Sequence, residues 1–89
     1  MNISIRKPLK AGSIHIPAQR YEVTVDQQRS EVVLAGVNAM FKLDALQRSS
    51  KARVTTPSVQ LRQVVGEPRW LLIVRMAPAN EWVASLEEA

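Results

Sequence analysis

The stretch "QRSSKARVTT" at residues 47–56 sets Arg48, Lys51 and Arg53 among hydroxyl-bearing neighbours. Basic side chains interleaved with Ser and Thr are the groups that contact phosphate oxygens. Arg62, Arg69 and Arg75 follow within the next two segments, so a basic surface for nucleic acid is one chemistry the sequence offers. Proteins that bind single strands usually add aromatic platforms for base stacking. Here aromatic residues make up 4% of the chain, and at least three of Tyr21, Phe41, Trp70 and Trp82 read as core or helix anchors.

Catalytic constellations are missing. His15 is the single histidine, so neither a two-histidine metal site nor a paired-histidine mechanism is available within one chain. It reads as a solvent-facing strand residue between Ile14 and Ile16. Glu22 and Asp26 share a strand face, but four residues of strand hold them ~13 Å apart, beyond the reach of cooperating glycosidase carboxylates. Three glycines (Gly12, Gly36, Gly66) are too few and too scattered for a phosphate-cradling loop. With no cysteine, the chain has no disulfide framework, thiol nucleophile or thiolate zinc site. The expectation is a protein without enzymatic activity, cofactor, metal or small-molecule substrate.

Charge distribution favours a macromolecular partner. All 12 Lys and Arg fall in residues 1–80, against five acids there, a balance of +7; Glu81, Glu87 and Glu88 make the C-terminal segment acidic. A basic body of this kind suits an acidic partner. No apolar run approaches the ~18 residues of a membrane span, and "MNISIRKPLKAG" has no apolar core after its basic residues, which speaks against a signal peptide. A cytoplasmic location is the expectation.

The elements that must position these residues are strands. Tyr21, Val23 and Val25 alternate with Glu22, Thr24 and Asp26; "QQRS" is a polar turn, and "EVVLAG" at 31–36 returns as the hairpin partner. Ile3 and Ile5, Ile14 and Ile16, and Phe41 and Leu43 mark further short strands. Residues 44–51 read as a helical turn or loop, and 52–58 as extended up to Pro57. In the tail, Trp82, Val83 and Leu86 fall on one side at helical spacing, with Pro78 suited to a first turn. Six or seven short strands about ten residues apart predict a mainly β, single-domain small barrel, SH3-like or OB-like. A short C-terminal helix over residues 78–89 would pack on it.

The segment "VQLRQVVGEPRWLLIVRM" at 59–76 predicts a hairpin. A type II′ turn centred on Gly66-Glu67 pairs Gln63 with Trp70, Leu61 with Leu72 and Val59 with Val74 on a core face. The opposite face then holds Arg62, Leu71, Ile73 and Arg75, with Arg69 near the turn. This face is too apolar for water alone. Either the C-terminal helix covers it, or it meets a partner, since arginine beside aliphatics is the composition of an interface centre. The leading functional expectation is a binding module for another protein or for a copy of itself through Arg62, Arg69, Leu71, Ile73 and Arg75. The alternative is nucleic-acid binding through Arg48, Lys51 and Arg53 with those arginines.

"GSIHIPAQR" at 12–20 resembles the Gly-x-hydrophobic-x-hydrophobic-Pro opening of the swapped-hairpin transcription factors of the AbrB kind. That family continues with a helix and a Gly-Asp turn. Strand residues from Tyr21 follow here instead, and no functional residue is carried over from it.

Overall fold

The computed structural model describes residues 1–89 and contains ten strands and no helix. They are β1 (Asn2–Ile5), β2 (Leu9–Ala11), β3 (Ile14–Ile16), β4 (Gln19–Asp26), β5 (Glu31–Ala35), β6 (Met40–Asp44), β7 (Leu46–Ser49), β8 (Ser58–Gln63), β9 (Arg69–Met76) and β10 (Asn80–Glu88). One antiparallel sheet has the order β1-β4-β5-β6. The other runs β3-β2-β10-β9-β8, with β7 also bonded to β10. No helix is long and apolar enough to cross a membrane.

A single cluster of thirteen buried residues fills the space between the sheets. Tyr21, Val23, Val32, Leu34 and Leu43 come from the inner face of the first; Leu72, Val74, Trp82, Ala84 and Leu86 come from the second. Closed-barrel pairing is absent: β1 and β6 are the edges of one sheet and β3 and β8 the ends of the other. The barrel expectation is therefore corrected to two facing sheets. Alternation told which residues point inward, but inward-facing rows are the same in both architectures, and strand order decides between them.

The expected C-terminal helix is also corrected, because residues 80–88 form the longest strand of the fold. Trp82 and Leu86 satisfy a helical spacing and a two-residue spacing equally, and Ala84 between them is too small to advertise the second. The structure buries Trp82, Ala84 and Leu86 at 2%, 1% and 0% exposure and turns Val83 and Ser85 to the other face. Pro78 lies in the three-residue turn joining β9 to β10, where the Ala77–Pro78 peptide is cis. Residues 46–49, read as loop or helical turn, are a strand made by pairing with Asn80–Val83.

Both hairpins adopt the expected pairing. β4 and β5 join Asp26 to Glu31, and the Asp26 carboxylate closes the turn by accepting from the Arg29 backbone N–H at 3.2 Å. Between β8 and β9 the pairs are Val59 with Val74, Leu61 with Leu72 and Gln63 with Trp70. The turn itself sits one residue earlier than expected. Glu67 N–H donates to the Val64 carbonyl, which puts Gly66, with φ +80°, in the third turn position, a place that needs glycine. Pro68 has no N–H to return to Val65, and its carbonyl accepts from Glu88 N–H instead. The loop widens to four residues and the register is kept.

If the last segment alternates as a strand, Ala84→Lys should destabilise by about 3 kcal/mol or more, from overpacking and a charge buried in the core. Ser85→Lys should stay within about 0.5 kcal/mol. Urea denaturation of both variants checks this, and equal tolerance would contradict the packing.

Candidate functional site

The outer face of the second sheet carries no helix and is organised in rows set by register. The first row runs Ser58, Arg75, Glu81, Arg48 across β8, β9, β10 and β7. The second runs Gln60, Ile73, Val83, Leu46 over the same strands. The third holds Arg62, Leu71 and Ser85. Arg69 stands further along β9, opposite Glu87, and lies 3.8 Å from Glu67.

Residues 50–57 wall the first row. Their course is fixed by two backbone hydrogen bonds, from Ser50 N–H to Ala79 carbonyl and from Val54 N–H to Pro78 carbonyl, each 2.8 Å. Val54 is buried at this junction while its neighbours stay exposed. The result is a cavity of about 740 Å³ lined by Arg48, Lys51, Arg53, Arg75, Glu81 and a set of hydroxyls from Ser49, Ser50, Thr55, Thr56 and Ser58. Four cations face one carboxylate there.

That carboxylate is the most buried charged group in the protein, its side chain 8% exposed. Arg48 Nε donates to Glu81 Oε1, and Arg75 Nε donates to Oε2 at 3.1 Å. Burial pushes the Glu81 carboxyl upward and is the largest single influence; the hydrogen bonds from Arg48 and Arg75, joined by their charges, together outweigh it and hold it below the ordinary carboxylate range. A helix over residues 78–89 places Glu81 away from β7, so nothing in that reading joins it to Arg48. The available signal was alternation: Glu81 and Val83 share the parity opposite Trp82 and Ala84.

The structure thus brings Arg48, Lys51, Arg53 and Arg75 together and leaves Arg62 and Arg69 elsewhere on the same sheet. Ile73 is 3% exposed and Leu71 half-buried, flanked in register by Gln60 and Val83, and by Arg62 and Ser85. No helix covers them. Arg75 pairs with Glu81 on the sheet itself. Glu88 pairs with Lys7 at 3.0 Å and accepts from Trp70 Nε1 at 3.3 Å, while Lys7 lies over the Trp70 ring. The hydrogen bond from Lys7, then that from Trp70, draws the Glu88 carboxyl below its usual range.

His15 is exposed on β3 opposite Lys10. Asp44 lines a separate cleft of about 350 Å³ with Lys42 and Ser85, and neither His15 nor Glu22 joins it. No group of three His, Asp or Glu residues is arranged to hold a metal ion. Comparison of the chain with protein-family models, curated proteins and solved structures finds no significant match.

Glu81→Gln should cost about 2 kcal/mol near neutral pH, the scale of hydrogen bonds to a charged group. Because the folded carboxyl titrates below the unfolded one, this stability is present above the ordinary glutamate range, about pH 4.3, and is lost as pH falls through the folded value. Denaturation at several pH values should therefore show the wild-type and Gln curves converging in acid. A gap that stays unchanged across the whole acid range would contradict the ionised bridge.

Proposed function

We propose that this chain is a non-enzymatic β module that binds nucleic acid through the phosphate backbone, using the cavity beneath residues 50–57. One observation carries the reading. Arg48 from β7, Lys51 and Arg53 from the following loop, and Arg75 from β9 line a single polar cavity with five hydroxyl side chains. Three of these cations stand in one short basic segment, and the fourth comes from a distant strand. Cations with hydroxyls position a phosphate chain without reading its bases. The aromatic residues support this backbone mode: Tyr21 and Trp82 are buried, and Phe41 and Trp70 are half-buried against the core, so none offers an open stacking face.

The outer face of the same sheet supports a second reading, self-association. Leu46 is 70% exposed and stands in register beside half-buried Val83 and buried Ile73, an apolar row that opens to water at its Leu46 end. Nucleic acid takes precedence because Ile73 is already 3% exposed. That leaves little apolar surface beside Leu71 to bury in a partner.

Binding of a single-stranded oligonucleotide should be measurable at low salt and weaken steeply as salt is added. The cavity's net surplus of three positive charges gives a log–log slope of about −2, at ~0.7 per phosphate contact on single strands. Reversing Lys51 and Arg53 to Glu together should lower affinity more than tenfold. Absence of binding to DNA and RNA at low salt, or affinity indifferent to salt and to the reversal, rules the reading out. For self-association, sedimentation velocity from micromolar to near-millimolar concentration should show a dimer that Leu46→Glu dissociates. A monomer throughout excludes it.

A further inference from the structure

We propose that the Arg48–Glu81–Arg75 cluster is a seat for the terminal phosphate of a nucleic-acid strand, an inference that rests on the nucleic-acid reading above and narrows it to a strand end. The geometry of the two guanidiniums carries it. Each donates its Nε to a different oxygen of Glu81, and no other hydrogen bond engages either side chain. The Nη groups of both are therefore unspent, in side chains 51% and 39% exposed that line the same cavity. Two planar forks held by one carboxylate between them form a divided, pre-positioned donor set. Such forks match phosphate oxygens bidentately, which an ammonium does not.

Charge selects the end of a strand over its interior. The cavity lining holds four cations and one acid, a surplus of three positive charges. An internal phosphodiester brings one negative charge, whereas a phosphomonoester brings about −1.5 to −2 near neutral pH and has three free terminal oxygens. The second charge and third oxygen are what two separate forks can use. Lys51 and Arg53, which have no ion-pair partner, remain for the phosphate of the next nucleotide. At about 740 Å³ the cavity has the size of a single small-ligand pocket, enough to seat one end. Glu81 acts as a positioning residue, touching the arginines and not the phosphate.

The test compares one internally labelled single-stranded oligonucleotide in three forms: hydroxyl at both ends, phosphate at the 5′ end, and phosphate at the 3′ end. Fluorescence anisotropy at fixed low salt gives the affinities, with inorganic phosphate as competitor. One phosphorylated form should bind at least tenfold tighter than the hydroxyl form, and inorganic phosphate should remove that advantage first. Arg48→Lys and Arg75→Lys keep the charge and lose the fork. Each should reduce the advantage to about twofold or less, while affinity for the hydroxyl form changes little; if one variant fails to fold, the other reads the same quantity. Equal affinity for all three forms overturns the seat and leaves the nucleic-acid reading standing. No binding of any form overturns both. Binding of inorganic phosphate with no binding of any oligonucleotide form assigns the forks to free phosphate and overturns the strand-end proposal together with the nucleic-acid reading.

Discussion

A carboxylate can leave water on the face of a sheet only if cations accompany it, and at Glu81 two arrive from opposite sides. Arg75 reaches it from β9 and Arg48 from β7, the two strands that flank its own. The acid orients both arginines, and their hydrogen bonds and charges outweigh the burial that raises its carboxyl. The row of four residues from Ser58 to Arg48 is thus one electrostatic unit spread over four strands. Around it the chain bends into the segment 50–57, whose backbone is bonded to the turn that precedes Glu81.

This unit joins the domain's two faces. Inward, the strand that carries Glu81 seals Trp82 and Ala84 in the core. Outward, the same strand supplies the acid that gathers the cations. Position along β10 therefore sets both packing and polarity, and a one-residue slip against β9 would expose Trp82 and bury charge. Register at this strand is held along eight paired residues with β9 and four with β7.

The parts of this arrangement legible in the sequence are those where two apolar strands constrain one another. The pairing of β8 with β9 could be read because Leu61 with Leu72 and Val59 with Val74 leave a single register that buries both sides. β4 and β5 were legible for the same reason. The basic segment 48–53 announced itself by residue type. What stayed hidden depended on distant partners. "LQRS" at 46–49 has one apolar residue, itself exposed, and is a strand only because the edge of β10 accepts it. The segment from Asn80 was ambiguous because Trp82 and Leu86 fit two periods. With that segment misread, Glu81 could not be placed between Arg48 and Arg75, and the cavity had no floor.

β10 touches three strands: β9 along one side, and β7 and β2 at the two ends of the other. β2 and β7 precede it by some seventy and thirty residues, and β2 has only β3 as another neighbour. Half of this sheet must therefore wait, during synthesis, for a segment that emerges after every other strand. Until then β2, β7 and the inner faces of β8 and β9 stand open to water, and the first sheet is the only layer whose hydrogen-bonded neighbours are all already made.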